Sequence, residues 1–211
     1  MYIAIEGVIG VGKTTLAQLL KTAFNTELLL EAFEENPFLS DFYADRQAYA
    51  FQTQIFFLLS RYRQQSNIDA EHLADNNLIA DYTFQKDALF ARLNLQGDEL
   101  ATYHQVHSAL AERIHPPDLI VYLRVDTDVA MQRIAQRDRP YERNMAYSYI
   151  NDLNKAYEAF MKNEVDQNVL VIDSNPLDFV ANNDHLDGIA DRIRATLGIP
   201  PYQQKLPLGN G

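Results

Sequence analysis

Eight residues near the amino terminus, GVIGVGKT from Gly7 to Thr14, combine three glycines with a lysine and a hydroxyl. Gly7, Gly10 and Gly12 let the backbone turn tightly and leave no side chains between its amides and a bound anion. The amides thereby become the binding surface for a polyphosphate. Lys13 adds a point charge for the β and γ phosphates, and the Thr14 hydroxyl is of the kind that ligates Mg²⁺. Acidic residues close several short apolar runs elsewhere: Glu6, Glu31, Asp81 and Asp173. Carboxylates beside a phosphate cradle hold a metal ion, or orient an acceptor hydroxyl and take its proton. Between 126 and 143 stand Arg133, Arg137, Arg139 and Arg143 in an otherwise acidic chain. Arg133 and Arg137 are four apart on one helical face, a local concentration of positive charge that could meet an anionic nucleotide or pair with Asp138 and Glu142.

The apolar runs that carry these groups fall near 2–6, 27–31, 77–81, 119–124 and 168–173, each followed by helical periodicity. That order predicts an α/β domain of three layers around a parallel sheet. In such sheets ligands collect beyond the carboxyl ends of the strands, where Glu6, Gly7, Glu31, Asp81 and Asp173 stand. Helices are expected near 13–24, 37–66 with a break near Asp45, 84–94, 98–114, 127–137, 145–165 and 184–197. Asp98 and either Asp126 or Thr127 are the expected N-caps. From Gly198 the chain reads GIPPYQQKLPLGNG, proline-rich and without period, which predicts a peripheral or disordered tail.

Composition bounds the partners. The chain has 211 residues, 47% of them hydrophobic, enough for one domain with a substantial core. With 29 acidic against 18 basic residues the net charge is −11, which disfavours nucleic acid polymers and anionic membranes. The absence of cysteine removes disulfides, thiolate chemistry and cysteine zinc sites, and fits a reducing cytoplasm. No targeting segment is visible, and the longest apolar run, 55–59, is far too short to span a bilayer. His104 and His107 have metal-like spacing, but nothing nearby in sequence completes a zinc site.

Taken in order, the segments IAIEGVIGVGKTT, ENPFLSDFY, FQTQIFFLLSRYRQQ, IADYTFQKDALFA, RIAQRDRPYER and VIDSNPLDFV resemble the deoxyribonucleoside kinase family, and within it the bacterial deoxyguanosine and deoxyadenosine kinase branch. The resemblance covers about 1–197. It implies a single three-layer P-loop kinase domain, a five-stranded parallel sheet flanked by helices, with an arginine-rich lid at about 133–145. It implies ATP as donor, Mg²⁺ as cofactor, a homodimer built on the long helices, and phosphorylation of the 5′-hydroxyl of a deoxyribonucleoside, a purine one by branch.

The resemblance also distributes roles. Gly7, Gly10, Gly12, Lys13, Thr14, Thr15, Arg133 and Arg137 correspond to ATP-binding positions, and Arg137 and Arg139 to the lid arginines that act in catalysis with Lys13. Glu31 matches the glutamate that opens the general-base motif, with Glu34 and Glu35 as nearby alternatives. Asp81 stands where a Walker-B-like acid holds Mg²⁺ together with Thr14. The wider family has an arginine after this acid; here the residue is Tyr82, which supplies no charge. Tyr43 and Glu142 match the residues that hold the sugar 3′-hydroxyl. Gln54, Arg61 and Asp87 match base-reading positions by spacing, whereas the local string FQT favours Gln52. The segment 173–179 resembles the loop that packs on adenine.

Two other readings are open at the level of sequence. Thymidylate kinase shares the fold but needs basic residues near the second strand for its monophosphate acceptor, and 31–45 is acidic. A nucleotide-binding protein without catalysis would keep the cradle; intact Lys13, Thr14, Glu31, Asp81 and lid arginines speak against it.

Overall fold

The computed structural model describes residues 1–163, 165 and 167–200. In chain order the elements are β1 (Tyr2–Glu6), α1 (Lys13–Phe24), β2 (Glu27–Leu29), α2 (Leu39–Ala44), α3 (Arg46–Gln65), α4 (Ala70–Asp75), β3 (Leu78–Ala80), α5 (Lys86–Asn94), α6 (Gly97–Ala111), β4 (Leu119–Arg124), α7 (Thr127–Arg137), α8 (Tyr147–Asn163), β5 (Val169–Asp173) and α9 (Asn183–Leu197), with 3₁₀ turns at Phe33–Glu35 and Pro140–Glu142. The five strands form one parallel sheet in the order β2-β3-β1-β4-β5. Helices cover it on both faces, so the central strands have no polar face to present to water. All five residues of β1 and the first five of β4 are buried, which is why both read as unbroken apolar runs. Ile3, Ile5, Leu16, Leu20, Val121, Leu123, Leu153 and Ile193 belong to the main core. A smaller cluster of Tyr2, Ile68, Leu78 and Ala80 closes the β2 side.

This is the expected α/β class with a five-stranded parallel sheet, and the differences lie at element ends. β2 and β3 are shorter than 27–31 and 77–81 because side-chain pairing replaces the ladder at their carboxyl ends. Asp81 N–H still donates to Leu29 O at 3.2 Å, but Glu31 N–H donates to the Asp81 carboxylate at 2.8 Å. The helix expected from 98 starts at Gly97 with Gln96 as N-cap, and it ends at Ala111, not 114. Asp98 is therefore no cap; it lies in the first turn, where its charge favours the helix dipole. Asp126 does occupy the N-cap of α7, without a capping hydrogen bond from its side chain. α4 was not anticipated: six residues are too few to show a period, although Asp69 caps it by accepting the His72 N–H at 2.8 Å. The tail expected from 198 lies almost wholly outside the described residues, in 201–211. Among the described residues, no helix is long and apolar enough to cross a membrane.

The sheet delivers three carboxyl ends, those of β1, β2 and β3, to one edge of the domain, and the loop after β1 is packed tightly there. Gly7 has φ +146°, and a Cβ at that position would lie 2.6 Å from Leu123 O. Gly10 has φ +86°, and its Cβ would lie 2.6 Å from Ile134 Cγ1 and 2.9 Å from Ala130 O. Both positions combine a left-handed or strained backbone with backbone atoms that have no room to give way. Gly7→Ala should accordingly lower the free energy of unfolding by about 2–3 kcal/mol. Urea unfolding followed by circular dichroism checks this, and an unchanged midpoint would show that the loop has slack.

Candidate active site

The loop from Gly7 leads into α1, whose first residue is Lys13. Lys13 Nζ folds back over the loop, donating to Gly7 O at 2.8 Å and Val8 O at 3.2 Å. Burial, reinforced by the nearby charge of Lys86, lowers the Lys13 ammonium to about 8. Next along α1, the Thr14 hydroxyl donates to Asp81 Oδ2, and Thr15 is half-buried in the same turn. One hydroxyl and one carboxylate, both hard oxygen donors, thus meet at the mouth of the cradle. That is the donor set of an ion that takes few protein ligands and completes its shell with phosphate and water. No cluster of three or more potential metal-ligating side chains exists among the described residues. His107 instead stacks on Phe84 and Tyr103, and burial lowers its imidazole.

The cavity lined by Lys13 and Thr14 also holds a buried charge cluster. Arg61, from α3, donates through Nε to Glu31 Oε1 at 3.0 Å and with its Nη2 to the same oxygen; its Nη1 pairs with Asp87 of α5. Lys86 Nζ donates to Glu31 Oε2 at 2.8 Å. Burial alone would raise the Glu31 carboxyl, but Arg61 and Lys86 outweigh it and hold the group well below the usual carboxylate range. Glu31 is therefore a carboxylate at any physiological pH. Asp87 is fully buried, its Oδ1 is paired with Arg61, and its Oδ2 has no hydrogen-bond partner among the described residues. Gln54 is buried and lines the cavity, whereas Gln52 faces solvent one helical step away. Tyr82 is fully buried, with its hydroxyl donating to Gln64 Oε1 at 2.7 Å.

The arginine-rich segment at the end of α7 and after it also lines the cavity. After α7 ends, Asp138 adopts the left-handed conformation at φ 50°, and Pro140–Glu142 form a 3₁₀ turn. Arg137 makes a fork to Glu142 at 2.6–3.1 Å, and Arg139 Nη1 lies 3.8 Å from the same carboxylate. Arg139 also caps the Phe33 ring at 4.1 Å, and Tyr43 stacks on Tyr141 at 6.1 Å. Glu142, Tyr43, Arg137 and Arg139 all line the cavity that holds Glu31 and Lys13.

Arg133 stands apart from the other lid arginines. It was expected among the ATP-binding residues, yet its guanidinium donates to Val11 O, Ser174 Oγ, Ser174 O and Leu177 O at 2.8–3.3 Å and does not line the cavity. It braces the cradle against the loop after β5. Arg143 pairs with Asp138 on the exposed outer side.

Two further residues matter to this geometry: Glu6, one of the strand-end acids but without a specific role in the sequence pattern, and Lys86. Glu6 is fully buried and accepts from Thr83 N–H at 2.6 Å, the Thr83 hydroxyl at 2.8 Å, the Tyr157 hydroxyl at 3.1 Å and Gly7 N–H at 3.3 Å. It ties β1, the turn after β3 and α8 together. Lys86 was overlooked although it directly precedes Asp87; a lysine at the start of an otherwise apolar helical face was the available signal.

Residues 3–197 match the family profile described as deoxynucleoside kinase. The chain belongs to the deoxynucleoside kinase family. It is 33% identical over 198 residues to a deoxyguanosine kinase of Bacillus subtilis (strain 168), covering 92% of this chain and 96% of that one. It is 35% identical to a deoxyadenosine kinase of Dictyostelium discoideum, covering 85% and 74% respectively. A solved deoxyadenosine kinase from M. mycoides with bound dATP superposes with a TM-score of 0.79 at 29% identity, over 92% of this chain and 99% of that one. Lys13 of the cradle and Glu31 line one cavity in this chain.

The lowered Lys13 ammonium has a measurable consequence. Its proton is bound below about pH 8 and lost above it in the free protein, whereas an unfolded lysine keeps its proton to about pH 10. Between those limits the unfolded state binds more protons, so stability linked to Lys13 rises with pH in that window. Polyphosphate affinity moves the opposite way, because the charge it needs is disappearing. ATP affinity measured calorimetrically should fall from pH 7 to pH 9, and Lys13→Met should abolish most of that slope; an equal slope in the variant would assign it elsewhere.

Proposed function

We propose that the protein transfers the γ-phosphoryl group of ATP to the 5′-hydroxyl of a purine deoxyribonucleoside, deoxyguanosine or deoxyadenosine, and so makes the 5′-monophosphate for nucleotide salvage. The observation that carries this is that Glu31 and Lys13 line the same cavity, tied to each other through Asp81, which accepts from both the Thr14 hydroxyl and the Glu31 N–H. A hydroxyl bound against Glu31 faces a phosphate held on the cradle, the in-line arrangement the transfer requires. The hydroxyl oxygen forms a bond to the γ phosphorus as the bond to the bridging oxygen of ADP breaks. The hydroxyl proton passes to the Glu31 carboxylate. Thr14 and Asp81 would hold Mg²⁺, which when bound neutralises charge on the donor phosphates.

On the same reading, Arg137 and Arg139 exchange Glu142 for phosphate oxygens, and Glu142 with Tyr43 holds the sugar 3′-hydroxyl. Gln54 and Asp87, buried in the cavity wall, present an amide and an unused carboxylate edge suited to the donor and acceptor groups of a purine. The names of the relatives support the purine assignment. The reading includes one domain over 1–197, a cytoplasmic location, and a homodimer through the long helices, where Leu59 of α3 is exposed.

Incubation with Mg-ATP and each deoxynucleoside or deoxynucleoside monophosphate tests the proposal. Deoxyguanosine or deoxyadenosine should give the 5′-monophosphate fastest; turnover confined to monophosphates would refute it. Glu31→Gln should reduce kcat by about a hundredfold or more, while leaving nucleoside affinity nearly unchanged. Undiminished turnover in that variant would remove Glu31 from the mechanism.

A further inference from the structure

The acceptor in the proposed reaction is uncharged, but its product is a phosphate. A wall built only for a neutral nucleoside needs no spare cation. This wall has one. Arg61 is committed on both sides, to Glu31 and to Asp87. Lys86 is buried at 3% exposure, lines the cavity, and donates one hydrogen bond, to Glu31 Oε2. Among the described residues, no other acceptor lies within hydrogen-bond reach of its ammonium, which rests 5.3 Å from the centre of the Tyr82 ring. An ammonium has three N–H donors on a flexible stem, so two remain for a ligand. Its neighbourhood also points toward the donor phosphates, since its charge is close enough to Lys13 to oppose the protonation of that residue. The backbone under it is fixed: Lys86 N–H donates to the Thr83 hydroxyl at 3.3 Å, and that hydroxyl donates to buried Glu6.

We propose that Lys86 is a catalytic residue that receives the transferred phosphoryl group, its ammonium moving from Glu31 Oε2 to a non-bridging oxygen of that group as transfer proceeds. This rests on the reading of the site as a deoxynucleoside kinase. The bond changes are those of the transfer itself: oxygen to phosphorus forms, phosphorus to the ADP oxygen breaks, and the hydroxyl proton goes to Glu31. Lys86 makes and breaks only hydrogen bonds. Protonation of Glu31 releases the ammonium from its ion pair, and its charge then meets the negative charge on the new 5′-phosphate.

The decisive variant is Lys86→Gln, whose amide can still donate to Glu31 but carries no charge. Purified wild-type, Lys86→Gln and Lys86→Arg proteins are compared for kcat with Mg-ATP and deoxyguanosine or deoxyadenosine. Calorimetry then gives the Kd of each protein for the deoxynucleoside and for its 5′-monophosphate. Lys86→Gln is expected to lose about a hundredfold in kcat and about tenfold in monophosphate affinity, with nucleoside affinity held. Lys86→Arg is expected to recover most of both losses. Near wild-type kcat in Lys86→Gln, or equal weakening of both ligands, would overturn the proposal, the latter because it marks mere support of Glu31. Should Lys86→Gln not fold, loss of monophosphate preference in Lys86→Arg overturns it as well. A wild-type protein that phosphorylates no deoxynucleoside overturns the kinase reading and this inference together, whereas an active wild type confines failure to Lys86.

Discussion

One carboxylate sets the distance between the two halves of the cavity. Asp81 accepts from the Thr14 hydroxyl on the cradle side and from the Glu31 N–H on the acceptor side. Asp81 directly follows β3, which pairs with both β1 and β2, and its N–H donates to Leu29 O of β2, so the anchor is held at the end of the sheet. The cradle, the candidate metal ligands and the candidate base are thereby indexed to the same hydrogen-bonded ladder. A reaction that depends on in-line geometry to within fractions of an ångström needs that kind of support.

Charge balance is the second constraint. Burying Glu31, Asp87, Arg61 and Lys86 together is tolerable only because each charge has a partner; any one alone would cost several kcal/mol. The arrangement costs stability relative to an apolar wall, and what it secures is a Glu31 side chain that stays ionised and oriented before any substrate arrives. Glu6 plays the corresponding role under the cradle. Its four donors come from three separate segments, and it fixes the turn that leads to Lys86.

Much of this was legible in the chain because the relevant signals are local. The cradle is contiguous, each buried parallel strand is a run of apolar residues, and the acids at strand ends follow from where such runs stop. What was not legible depends on side chains that meet across long sequence distances. Lys86 reaches Glu31 across 55 residues and Tyr157 reaches Glu6 across 151. Arg61 was placed at this wall by its spacing and does pair there with Asp87, whereas the second cation, Lys86 of α5, gave no such signal. Spacing favoured Gln54 over Gln52 because residues four or seven apart share a helical face, and that is the face turned to the cavity. Arg133 illustrates the converse: its place in a basic cluster says nothing about whether its guanidinium meets a ligand or a set of backbone carbonyls.

Arg133 and Gly10 together tie α7 to the cradle loop. Arg133 bonds Val11 O, and Gly10 leaves no space beneath Ile134 and Ala130. The middle of α7 is thus fixed to the loop after β1. Beyond it, the connection from the left-handed Asp138 to the start of α8 at Tyr147 carries Arg139 and Glu142 to the cavity. Those two side chains therefore reach the cavity from a short span between two helices, and the fork from Arg137 to Glu142 ties that span back to the helix held against the cradle.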